Sequence, residues 1–155
     1  MDLALGQAMA AGQAGEVPVG AVLCALDGRL LAAARNRTIE DHDPSAHAEI
    51  LCLRQAGRLV GNHRLAGSVL VVTLEPCLMC VGALIQARVA AVVYGAADPK
   101  AGALGSCLGL EHFAYANHTF GVLGGVLAEE CGGLLKRFFL ARRKEARNAS
   151  RNGPA

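Results

Sequence analysis

Two short segments, far apart in the chain, carry side chains that only a shared fold can bring to one point. The first is Asp43-Pro44-Ser45-Ala46-His47-Ala48-Glu49 and the second is Thr73-Leu74-Glu75-Pro76-Cys77-Leu78-Met79-Cys80, with Cys77 thirty residues after His47. Together they supply one imidazole, two thiols and one free carboxylate. Three protein ligands, a fourth position open to water and a carboxylate to move protons make up a catalytic zinc site. Cys77 and Cys80 are spaced to share one face of a helix's first turn. A helix N-terminus also favours negative charge and so lowers thiol pKa. His47 completes the ligand set from the start of another helix. Glu49 lies about 200° around a helix from His47, and is assigned as the acid/base that carries protons rather than as a ligand. The fold must therefore make two helix starts meet.

Periodicity and turn chemistry lay out the rest. Residues 3–11 read as a first helix, 19–26 and 30–34 as a hairpin around Asp27-Gly28, and Asp43 as the cap of a helix with Pro44 at its first position, running to about Gln55. Residues 68–74 form an apolar, β-branched run suited to a sheet covered on both faces. Pro76 opens a helix to about Arg88, and 90–94 give the next strand. Strand, helix and strand at this spacing make a βαβ unit with parallel strands. Residues 96–117 are Gly-rich, 118–126 hold a last irregular strand, and 128–147 read as a long helix. One domain over residues 1–147 is expected, with 148–155 as a disordered tail.

Hydrophobic residues make up 53% of the chain and charged ones 18%, which excludes disorder over most of its length. No stretch is long and apolar enough for a membrane helix. The first basic residue is Arg29, so the N-terminus lacks the positive start of an export signal, and a cytoplasmic location with reduced cysteines is expected. Charge is segregated. Residues 136–151 carry seven basic residues (Lys136, Arg137, Arg142, Arg143, Lys144, Arg147 and Arg151) against Glu145 alone. A cationic end on an otherwise acidic protein suits phosphate contact, and equally a solvated helix end.

A lone C-x-x-C is as often redox-active or structural as catalytic. Here no second C-x-x-C supplies a structural zinc site, and a redox dithiol leaves His47 and Glu49 unexplained. The paired H-x-E and P-C-x-x-C elements are the signature of zinc nucleobase deaminases. Beyond them the chain resembles the bacterial tRNA-specific adenosine deaminases over nearly its whole length. The likeness runs through residues 16–22, Asn36, both zinc motifs, Val92-Val93-Tyr94-Gly95-Ala96, Asp98-Pro99-Lys100, Gly105-Ser106, Asn117-His118, Gly121-Val122-Leu123, Glu130-Cys131, Phe138-Phe139 and Arg142-Arg143.

The resemblance implies an α/β protein with the three-layer α/β/α cytidine deaminase-like fold, built on a central mixed sheet of about five strands. It further implies a homodimer with one Zn2+ per subunit, and hydrolysis of adenosine to inosine, with release of ammonia, at the wobble position of a tRNA anticodon, typically an arginine tRNA. Carried over by position, His47, Cys77 and Cys80 hold the metal and Glu49 is catalytic. Asn36 bonds the extruded adenosine in a pocket lined by the 16–21 segment, Val19 among it, and by Ala48. Asp98, Lys100 and Asn117 touch neighbouring nucleotides. Phe139, Arg142 and Arg143 cover the loop and meet phosphates. The chain departs from the family at Ala97 and Ala101, where a basic residue and a threonine are frequent, and at Leu140, where a basic residue is common. Two other readings stay open: a zinc deaminase of free guanine, cytosine or adenosine, and a silent RNA-binding subunit, against which the presence of Glu49 argues.

Overall fold

The computed structural model describes residues 1–110 and 116–151. Its elements follow the order α1 (Asp2–Gln13), β1 (Gly20–Ala25), β2 (Leu30–Arg35), α2 (Ala48–Val60), β3 (Ser68–Leu74), α3 (Leu78–Ala87), β4 (Ala91–Ala96), β5 (Gly121–Leu123) and α4 (Ala128–Arg151). The strands make one sheet in the order β2-β1-β3-β4-β5. The β1–β2 and β1–β3 pairs are antiparallel, while β3–β4 and β4–β5 are parallel, so the sheet is mixed. The parallel β3–β4 pair, joined by α3, is the expected βαβ crossover. No described helix is long and apolar enough to cross a membrane.

Helices cover both faces, α2 and α3 on one and α1 and α4 on the other, which gives the three layers. The main core lies between the sheet and α2/α3, where Leu23, Leu70, Val72 and Val92 meet Cys52, Ala56, Val81 and Leu84, all fully buried. On the opposite face two glycines set how closely the helices approach. A Cβ at Gly20 would run into the α1 backbone at Ala4 and Ala8, and one at Gly95 would run into Cys131 of α4.

Two helix starts differ from the sequence reading. Asp43 does not cap α2; its carboxylate accepts hydrogen bonds from the Ser45 amide and hydroxyl, closing a turn ahead of the helix. The backbone stays extended through His47 (φ −70°, ψ 151°), and α2 begins at Ala48. Likewise Pro76 precedes α3, which starts after an extended Cys77 (φ −76°, ψ 171°). The last strand is shorter than expected, only Gly121–Leu123. Helix α4 continues past Arg147 to Arg151, into the segment expected as tail, whose residues 152–155 lie outside the described residues.

Gly20→Val puts a branched side chain against helix backbone that cannot rotate away. Unfolding in urea should show a loss of at least about 1–3 kcal/mol, the usual cost of forced overpacking. An unchanged midpoint would contradict the close approach of α1.

Candidate active site

Strand β3 ends at Leu74, and Glu75-Pro76 lead directly into Cys77, the N-cap residue of α3. The N-cap residue of α2 is His47. Neither uses its side chain to cap its helix, so an imidazole and a thiol are left for another partner. Cys80, one turn into α3, is buried beneath them. His47 Nδ1 lies 3.7 Å from Cys77 Sγ and 3.6 Å from Cys80 Sγ, and the two sulfurs are 3.7 Å apart. Zinc at tetrahedral angles, with its usual bond lengths, needs N–S and S–S edges of about 3.6 and 3.8 Å. The trio therefore fits a zinc ion without rearrangement, and thiolate with imidazole is the donor set zinc prefers.

The electrostatics agree. The hydrogen bond with the Cys80 thiol, and then that with His47, bring the Cys77 thiol down to about 4. Cys80, as the partner in that bond and buried besides, is pushed up. His47 is raised by its bond with Cys77. Protons shared within such a trio are what binding a cation releases. Glu49, in the first turn of α2, is only 4% exposed, and burial raises its carboxyl above the usual range.

Beside the trio opens a cavity of about 210 Å³ whose lining includes His47, Glu49, Cys77, Asn36, Val19 and Asp98. The Asn36 carboxamide oxygen accepts a bond from the Ala48 amide (2.9 Å), which satisfies the first free N–H of α2 and leaves the Asn36 NH2 to donate elsewhere. Ala48 thus acts through its backbone; its side chain is buried in the core. Next to the cavity, and sharing Val17, Leu74 and Asp98 with it, a groove of about 660 Å³ runs between the 96–100 segment and α4. Lys100, Phe139 and Arg143 line the groove, as do Ala97 and Leu140, while Ala101 lines the cavity. Arg142 and the exposed Asn117 line neither, so those two expected contacts are not brought to the site.

The structure also brings in residues to which the sequence reading gave no role of their own, and places Glu16, expected only as part of a lining segment. Thr38 and Leu74 line the cavity. Buried Glu16 accepts bonds from the Ile39 and Glu40 amides (2.8 and 2.9 Å) and from the Thr38 hydroxyl, holding the wall that follows Asn36. Glu75 does the same for the 98–106 segment. Burial works against its charge, but bonds from Ser106 and from the Asp98, Ser106 and Leu104 amides outweigh that and hold its carboxyl below the usual value. The available signal was a carboxylate set among apolar residues and prolines, which marks a buried acceptor but not its partners.

Comparison with known proteins shows which of them the chain is similar to. Residues 1–96 match the family model described as the cytidine and deoxycytidylate deaminase zinc-binding region. The chain is 44% identical over 152 residues to the tRNA-specific adenosine deaminase of Bacillus subtilis (strain 168), covering 98% of this chain and 94% of that one. A solved structure from work on A-to-I editing by tRNA:A34 deaminases at the wobble position superimposes with a TM-score of 0.84 at 44% identity, over 87% of this chain and 97% of the other. The guanine deaminase of Nitrosomonas europaea is similar at a TM-score of 0.77 and 26% identity, over 88% and 81% of the two chains.

Removing one sulfur should abolish tight metal binding. Cys80→Ala protein, purified with zinc and dialysed, should show zinc content falling toward zero by elemental analysis, whereas Glu49→Ala should hold as much as the unaltered protein. Equal losses in both would place Glu49 among the ligands.

Proposed function

The chain belongs to the cytidine and deoxycytidylate deaminase zinc-binding family, and from that premise we propose that it is a tRNA adenosine deaminase acting at the wobble position of an anticodon, with an arginine tRNA as substrate. The observation that carries the reading is the near full-length match to a tRNA-specific adenosine deaminase, together with a metal trio that opens onto a cavity. It is a zinc-dependent hydrolase of a C–N bond: adenosine and water become inosine and ammonia.

His47, Cys77 and Cys80 would hold zinc, which when bound would supply the Lewis acid that makes water nucleophilic near neutral pH. Glu49 is the proton carrier. It takes a proton from the attacking water, delivers it to ring nitrogen N1, and assists the amine at C6 to depart as ammonia. The buried position of Glu49 excludes bulk water from that exchange. Asn36, held by Ala48, presents its NH2 to the base, and Val19 packs on the same wall. An adenosine must leave the anticodon stack to enter, as base chemistry requires. Its neighbours then lie in the adjoining groove, where Phe139, 44% exposed, offers a stacking face and Lys100 and Arg143 offer charge to phosphates.

A second copy of the chain is the proposed protein partner. Leu78 and Met79 stand 58% and 39% exposed at the start of α3, beside a groove between α2 and α3 that includes Leu53 and Ala83. These apolar groups favour burial in a homodimer. The protein is proposed to work in the cytoplasm, with its tRNA. The free-base alternative draws on the likeness to guanine deaminase, but a metal pocket for a free base gains nothing from the cationic face of α4.

The test is inosine and ammonia formation on an arginine anticodon stem-loop with A at the wobble position, run beside free adenosine, cytosine and guanine. Turnover of the RNA alone is expected; turnover of a free base alone would overturn the tRNA reading and keep the zinc chemistry. Glu49→Ala should reduce kcat by at least the ~10²–10⁴-fold typical of a placed acid/base. Arg143→Ala should weaken RNA binding and flatten its salt dependence by about one charge.

A further inference from the structure

Glu75 is 2% exposed and is not used in the chemistry above. Among the described residues no ion pair reaches it. Its two oxygens instead accept bonds from the Asp98 amide (3.0 Å), the Leu104 amide (2.9 Å), the Ser106 amide (3.0 Å) and the Ser106 hydroxyl. All four donors belong to one segment, residues 98–106, which wraps around the carboxylate. The fit is close: a Cβ on Gly102 would strike the Glu75 carboxyl group. Packing alone would be met by an apolar side chain. A buried carboxylate is costly unless its oxygens are saturated with donors, so its presence here serves a requirement that an apolar group cannot meet.

That requirement is the placing of a wall against the metal trio. The segment pairs with the backbone of Cys77 through a bridge at Gly102, and the Ala103 amide donates to the Pro76 carbonyl (2.9 Å). Asp98 in turn fixes its own turn by accepting from the Lys100 and Ala101 amides (2.9 and 3.3 Å). Asp98 lines both the cavity and the groove, and Ala101 lines the cavity. One carboxylate thus ties the residues between base pocket and RNA groove to the strand end that delivers Cys77.

We propose that Glu75 is a positioning residue, whose carboxylate holds the 98–106 segment as the wall that admits an RNA-borne base to the metal pocket; as a statement about substrate, this rests on the tRNA reading. A carboxylate is needed because it is acceptor-only on both oxygens, whereas a glutamine places two N–H donors against backbone donors.

Unaltered protein, Glu75→Gln and Ser106→Ala, all loaded with zinc, are compared by zinc content, by kcat and KM on the arginine stem-loop, and by amide hydrogen exchange across residues 98–106. Loss of a hydrogen bond to a charged group should make Glu75→Gln exchange faster at Asp98, Leu104 and Ser106 by about tenfold or more. Its KM for the stem-loop should rise by a similar factor, with zinc content kept and kcat changed less. Ser106→Ala, which removes only the hydroxyl, should move both readouts in the same direction by less, and it carries the test if Glu75→Gln fails to fold. Unchanged exchange and unchanged KM would overturn the proposal, as would zinc loss with a fall in kcat at constant KM. If the unaltered protein leaves the stem-loop untouched, the tRNA reading fails by itself, and exchange in the 98–106 segment still decides whether Glu75 holds that wall.

Discussion

The meeting of two helix N-termini beyond the carboxyl end of the central strand β3 is the constraint on which the rest of the molecule depends. Helix α2 brings His47 and helix α3 brings Cys77 at their N-cap positions, and the partial positive charge of both ends falls on the same few ångströms. That field favours thiolate and so favours a cation held by thiolates. The parallel β3–β4 pair supplies the geometry: the crossover through α3 puts the start of that helix just past the carboxyl end of β3, where α/β proteins commonly bind their ligands.

Around this point the fold spends polar groups sparingly and always in pairs of duties. Asn36 satisfies the Ala48 amide and offers its remaining hydrogens to the cavity. Glu16 and Glu75, each holding a segment of the wall, accept hydrogen bonds from backbone amides and hydroxyls. Among the described residues that line the cavity there is no lysine or arginine to compete with the metal. Positive charge is kept outside, on Lys100 and along α4, where it can act on phosphate through solvent. The separation fits the proposed division between base chemistry in the interior and phosphate contact at the rim.

Much of this was legible in the residues. The 68–74 run announced β3 with its bounds intact, because an apolar β-branched stretch covered on both faces has few other homes. The H-x-E and C-x-x-C spacings announced the trio, because ligand geometry on a helix turn is local. The helix starts were misjudged at Asp43 and Pro76 for the opposite reason. Local chemistry favours helix there, but the chain stays extended until His47 and Cys77 so that those side chains leave the helix barrel and face one another. Arg142 was grouped with Arg143, yet the angular step of about 100° per residue puts only the latter on the groove.

The sequence by itself determined the reaction class: the donor types, the carboxylate two residues from His47 and the order of elements are properties of residue identity and short spacing. The tertiary structure decided the shape of the pocket and what guards it. Thr38, Leu74, Asp98 and Ala101 become neighbours only when the 36–40 and 98–106 segments are pinned to Glu16 and Glu75 across more than twenty residues of chain. Pairings over that distance leave no periodic trace, because they are fixed by which backbone amides remain unsatisfied once the sheet has formed.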